Sequence, residues 1–154
     1  LSAKVDKVPI IDHRVNAGGK ELLLTFVSMG NPHGVCFVDY PDSFPLSELG
    51  PIVEHHELFP RRLNFEVANV VSRKEVRARV WERGAGETLS CGTGACAVAV
   101  AAHLHGYVDN AVDVVLPGGR LGIQWDGQGD VYLTGPAEVV FTGCWPKQNL
   151  LEER

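Results

Sequence analysis

The sequence predicts an α+β domain in which an antiparallel or mixed sheet curls around one central buried helix. Three observations predict it. Short apolar or alternating runs, separated by Gly, Pro, Asn and Asp turns, fill most of the 154 residues. The stretch Ala95 to His105 is almost entirely alanine, valine and leucine, and a helix apolar all round is a buried helix. The last third reads as a meander of strands joined by tight turns.

The elements follow in order. Leu22 to Val27 is an apolar run between Gly18-Gly19 and Gly30-Asn31-Pro32, a strand entering a tight turn. Val35 to Val38 is a second strand, and Asp42-Ser43-Phe44-Pro45 supplies turn and helix-start chemistry. An amphipathic helix is expected over Leu46 to Leu58, with Leu46, Leu49, Ile52 and Val53 facing inward. Pro51 must then lie near the helix start or interrupt it. Phe65 to Val71 and Glu75 to Trp81 both alternate and predict a hairpin turning at Ser72-Arg73-Lys74, whose basic side chains are a solvated tip. The buried helix stops at Gly106. Val112 to Leu116, Arg120 to Trp125, Val131 to Leu133 and Val139 to Phe141 are strand-like, with turns at Pro117-Gly118-Gly119 and Asp126 to Gly129. Residues 1–146 form the domain, and the polar tail 147–154 is expected to fray.

Bulk properties bound the function. A hydrophobic fraction of 45% and a charged fraction of 21% are those of an ordinary globular domain with its own core. The net charge of −5 argues against a nucleic-acid partner, which needs a basic footprint. No apolar run reaches membrane-spanning length and no signal-peptide pattern opens the chain, so no membrane partner is expected. Cys36, Cys91, Cys96 and Cys144 are widely spaced and match no zinc pattern. No metal is expected, and a reduced, cytoplasmic compartment is the simplest reading.

The most informative stretch is 82–96, Glu-Arg-Gly-Ala-Gly-Glu-Thr-Leu-Ser-Cys-Gly-Thr-Gly-Ala-Cys. It places Cys91 directly before Gly92-Thr93-Gly94 and the apolar helix. The helix start favours thiolate, and the free N–H groups that follow can bind a carboxylate. Thiol and anion site are neighbours, which suggests chemistry on an atom next to a carboxylate. The competing reading is a small packed cysteine at a glycine-rich turn. Other features carry less. Glu54-His55-His56-Glu57 looks like a metal cluster, but adjacent helix residues point in different directions. His103 and His105 diverge for the same reason, Gly118 to Gly122 is no dinucleotide fingerprint, and Cys96 reads as core.

The string Glu82 to Thr88 followed by Cys91-Gly92-Thr93-Gly94 closely resembles an active-site motif of diaminopimelate epimerases. Met29-Gly30-Asn31-Pro32-His33 resembles a second motif, and Arg62-Leu63-Asn64-Phe65 a shorter third. Their order and separation fit, so the resemblance covers most of the chain. Such enzymes have two domains and use two cysteines, one from each half. The motif of the first cysteine is absent, and the chain begins at Leu1. The resemblance therefore identifies this chain as a C-terminal half, related by pseudo-symmetry to an N-terminal half that would be its partner, within a family that commonly dimerises.

The resemblance implies epimerisation of LL-diaminopimelate to the meso form without pyridoxal phosphate or any other cofactor, in lysine and peptidoglycan precursor synthesis. Two thiols work on opposite faces of Cα, because one base cannot reach both. It implies Cys91 as one of them, with His33 and Glu82 beside the reacting centre, holding the α-amino group and tuning the thiols. Gly92 and Thr93 would hold the reacting carboxylate by their N–H groups. Arg83, Asn31 and Asn64 would recognise the distal amino-acid head. Carrying one thiol, the chain alone is expected to be inactive. Other readings are a proline-racemase-like relative, a non-catalytic anion-binding module, and a nucleophilic Cys91–His33 dyad. For single residues, Arg83 could instead form a surface ion pair with Glu82 or Glu87, and Asn64 could be a turn residue.

Overall fold

The computed structural model describes residues 10–145. Their strands form one mixed sheet: β1 (His13–Ala17), β2 (Lys20–Ser28), β3 (Pro32–Phe37), β4 (Asn64–Ser72), β5 (Glu75–Glu82), β6 (Gly86–Thr88), β7 (Ala111–Leu116), β8 (Gly119–Gln124) and β9 (Tyr132–Thr134). Spatial order is β1-β2-β3-β4-β5-β7-β8-β9, with β6 paired to the end of β5. Neighbours run antiparallel except β3 with β4 and β5 with β7. Parallel neighbours need a long crossover, usually helical. Here α1 (Leu46–Glu54) lies on the first crossover and α2 (Gly92–Leu104) on the second.

The two helices serve two cores. One gathers α2 with Val27, Val35, Ala68, Val76, Ala78, Val80, Val114 and Ile123. The other gathers Leu46, Leu49 and Val53 of α1 with Val15, Leu24, Phe26, Phe65 and Val67. Side chains alternate along a strand, so β4 sends Phe65 and Val67 to the α1 side and Ala68 to the α2 side. By the same alternation Asn64 and Glu66 lie with Ala68. Helix α2 is buried without interruption from Gly94 to Ala102 and contacts β2, β3, β4, β5, β7, β8 and β9. Gly106, at φ 72°, ends it: the Gly106 N–H donates to the His103 carbonyl and the Tyr107 N–H to the Ala102 carbonyl. Only a residue without a Cβ takes that left-handed turn at little cost.

The hairpin at Arg73-Lys74, the strand after Gly30 and the buried helix match the sequence reading. Strands β1 and β6 have no counterpart in the sequence reading, and three further features differ. Helix α1 ends at Glu54 rather than Leu58, because Pro51 lacks an N–H and crowds the preceding turn, leaving only three more helical residues. Ile52 is 41% exposed, because it lies about 100° round the helix from Val53, off the stripe formed by Leu46, Leu49 and Val53. Val139, Val140 and Phe141 form no strand and are exposed; no neighbour among the described residues pairs with them. The tail 147–154 lies outside the described residues. No helix among them is long and apolar enough to cross a membrane.

Candidate active site

Cys91 is the N-cap of α2. Its Sγ accepts the Gly94 N–H at 3.3 Å and lies 3.6 Å from the Thr93 hydroxyl. Gly92 and Thr93 fill the first helical turn, where backbone N–H groups have no carbonyl one turn earlier to bind. The Cys91 side chain is buried rather than open. Burial is the largest influence on its thiol and raises its pKa. The Thr93 hydroxyl and Gly94 N–H oppose that, and negative charge on Glu82 adds to it. The net direction is upward, against the thiolate preference expected at a helix start, because desolvation outweighs the helix-start donors.

From the thiol, a chain of polar contacts runs inward. Asn31 Nδ2 donates to Thr93 Oγ1 at 3.2 Å, and Asn31 Oδ1 lies 3.1 Å from His33 Nε2. His33 Nδ1 lies 2.6 Å from Glu66 Oε1, with both side chains wholly buried. Strand register explains the meeting. His33 at the start of β3 pairs with Asn64 at the start of β4, and both strands present their alternate residues to α2. The N-terminal end of α2 then brings Cys91 and Thr93 over them. Gly94 makes the approach possible. A Cβ there would stand 3.2 Å from Glu66 Oε1 and 3.3 Å from Cys91 Sγ.

A second cluster holds the turn after β5. Asn64 is buried and spends its amide on two backbones: Oδ1 accepts the Arg83 N–H at 2.8 Å and Nδ2 donates to the Pro32 carbonyl at 3.2 Å. It opens a strand and is not a turn residue. Glu54 accepts from Trp81 Nε1 at 2.8 Å, from the Gly84 N–H at 3.0 Å and from Arg62 at 3.5 Å. Burial alone would raise the Glu54 pKa. The Trp81 indole, the Gly84 N–H and the charges of His55 and Arg62 outweigh it and hold the carboxyl below its usual range. Arg62, at φ 58°, turns the chain into β4.

Arg83 is exposed and donates to the Arg61 carbonyl at 3.0 Å. No ion pair with Glu82 or Glu87 occurs among the described residues: Glu87 pairs with Arg79 and Glu82 accepts from the Thr88 hydroxyl at 2.6 Å. The structure thus joins Cys91, Thr93, Asn31 and His33 in one chain, ties Asn64 and Arg83 together beside it, and brings Glu82 near enough to act on the thiol. Sequence reasoning missed Glu66 and Glu54. Glu66 had a signal, an acid two residues beyond Asn64 and so on the same face, flanked by the apolar Phe65 and Val67. Glu54 was weighed only as a metal ligand.

A family profile described as Diaminopimelate epimerase matches residues 25–140. This chain belongs to the diaminopimelate epimerase family. A diaminopimelate epimerase of Leptospira biflexa is 50% identical over 135 residues, covering 88% of this chain and 48% of that protein. One of Moorella thermoacetica is 51% identical over 139 residues, covering 90% and 50%. Among solved structures, a Bacillus anthracis phenazine biosynthesis protein of the PhzF family is 22% identical, with a TM-score of 0.46 over 74% of this chain and 34% of that one. The chain spans about half the length of the curated relatives it matches.

Proposed function

We propose that this chain is the C-terminal half of a cofactor-independent epimerase that inverts one stereocentre of diaminopimelate, LL to meso, in the cytoplasm. Its sheet would curl around α2 as one half of a pseudo-symmetric pair. The observation that carries the reading is the unbroken side-chain path from buried His33 through Asn31 and Thr93 to a thiol at a helix start. The Cα proton of an amino acid is weakly acidic, and its removal throws charge into the adjacent carboxylate. The first-turn N–H groups at Gly92 and Thr93 meet that charge where it develops.

Two groups on opposite faces are needed, one to remove the proton and one to replace it. Cys91, resting as a thiol, supplies a proton to Cα and becomes a thiolate. A thiolate from the other half takes the original proton. In the reverse direction the roles exchange. Glu82 holds the α-ammonium, while His33, buried with both ring nitrogens engaged, steadies Asn31; Arg83, Asn31 and Asn64 face the distal head. Asn64 can do so only with the one amide hydrogen left after its two backbone bonds.

The test is complementation. The chain alone should not invert diaminopimelate, because a general acid–base group contributes about 10²–10⁴-fold and one of the two is missing. Addition of an N-terminal half carrying its own cysteine, in trans or by fusion, should restore inversion, followed by chromatographic separation of the stereoisomers. Robust inversion by the chain alone overturns the two-thiol reading. Substrate binding with no turnover after complementation would make it a binding module.

A further inference from the structure

The reaction proposed above makes no use of the acid buried beneath His33. Glu66 and His33 are both 0% exposed, Glu66 Oε1 lies 2.6 Å from His33 Nδ1, and Glu66 Oε2 has no hydrogen-bond partner among the described residues. A buried carboxylate with one unpaired oxygen is costly, and a neutral carboxylic acid much less so. The titratable groups that act on Glu66 are His33 from β3, Glu82 from β5 and Cys91 from α2. None is a lysine or arginine, and Glu82 opposes a second negative charge. Burial likewise raises the Glu66 pKa, against the pull of His33.

The far side of the imidazole fixes its hydrogen. Asn31 gives its amide N–H to Thr93, which turns its carbonyl oxygen toward His33. Nε2 must then donate, so it carries a hydrogen. Two arrangements satisfy this. One is an imidazolium beside a carboxylate, and the other a neutral imidazole accepting from a carboxylic acid. They differ by the position of one proton, and the bare Oε2 and the Glu82 charge favour the second.

We propose that Glu66 is a protonated carboxylic acid at neutral pH that donates to His33 Nδ1 and locks His33 as the neutral imidazole with its hydrogen on Nε2. The direction then propagates. Nε2–H donates to Asn31, Asn31 donates to Thr93, and the Thr93 hydroxyl keeps its own hydrogen for Cys91 Sγ, 3.6 Å away. A neutral Glu66 also spares a Cys91 thiolate a negative neighbour across Gly94. Glu66 is thus a positioning residue. The use made of the lock rests on the reading of Cys91 as an acid–base thiol, whereas the lock itself does not.

The test is nuclear magnetic resonance on the ¹³C,¹⁵N-labelled 154-residue chain. Spectra would be taken from about pH 5.5 to about pH 8.5, the range in which an ordinary histidine titrates. The expected result at neutral pH is a His33 ring with hydrogen on Nε2 only and a Glu66 Cδ shift in the protonated-carboxyl range. Glu66→Gln should retain the tautomer, because its amide N–H donates to Nδ1 as the acid does. A doubly protonated His33 with a carboxylate shift at Glu66, or a bare Nε2, overturns the proposal. So does a Glu66→Gln chain whose His33 changes tautomer. If that variant fails to fold, the wild-type carbon and nitrogen shifts decide. Neither readout needs turnover, so failure here is distinguishable from failure of the epimerase reading.

Discussion

Glu54, the last residue of α1, and Glu66, in the middle of β4, are both buried acids, 3% and 0% exposed. Glu54 accepts from an indole N–H, a backbone N–H and a guanidinium and is held below the ordinary carboxylate range. Among the described residues Glu66 has one partner and an unpaired oxygen, and its pKa is pushed upward. Glu66 also lies deeper in the domain, and it has fewer donors. The balance of burial against partners therefore decides whether a buried acid is charged. It also decides what each does here. The charged one clamps the turn that carries Arg83, and the other sits under the chain that leads to the thiol.

The largest effect expected from breaking this contrast is at Glu54. Glu54→Ala strands the Trp81 and Gly84 donors in a buried site and should lower stability by about 2–4 kcal/mol, read as a fall in the urea midpoint. Gly94→Ala comes next. Its Cβ would press on Glu66 Oε1 and on the Cys91 side chain, each within 3.3 Å. Such overpacking costs about 1–3 kcal/mol. It should also separate Thr93 from Cys91, seen as an altered pH profile of Cys91 alkylation.

Opposite pH dependences sharpen the comparison further. An unfolded glutamate titrates near about pH 4.3. The folded pKa of Glu54 lies below that, so its stabilisation is full above about pH 4.3 and is lost as pH falls through the folded value. The folded pKa of Glu66 is raised, so its contribution is full below about pH 4.3 and is lost as pH rises through the folded value. Urea titrations should show Glu54→Gln flattening the acid-side loss of stability and Glu66→Gln flattening the loss on the alkaline side. The same slope change in both variants would contradict the contrast. The smallest effect is at Thr93. Thr93→Val removes the hydroxyl that favours the Cys91 thiolate, so alkylation of Cys91 near neutral pH should slow by about twofold to tenfold.

The sequence made legible what rests on local pattern. The buried helix followed from its composition, the Arg73-Lys74 hairpin from alternation, and the location of Cys91 at a helix start from one glycine-rich string. Matters set by partners distant in the chain were less legible. The thiol's protonation depends on burial and on Glu82, which reaches it only through strand pairing. The end of α1 depended on Pro51, whose two outcomes the sequence left open. Val139 to Phe141 has a strand's composition, but a strand needs a neighbour, and among the described residues it has none. Glu66 was readable by counting two from Asn64 along β4. Its importance comes from His33, brought beside it by the parallel pairing of β3 with β4.

The most direct test of the proposed two-thiol reaction is deuterium incorporation at Cα in heavy water by the enzyme completed with an N-terminal half, comparing Cys91 with Cys91→Ala. The completed wild type should place solvent deuterium at the inverted centre. The Cys91→Ala enzyme should produce no deuterated, inverted product above background. Inversion with full deuterium incorporation by Cys91→Ala would contradict the role given to Cys91.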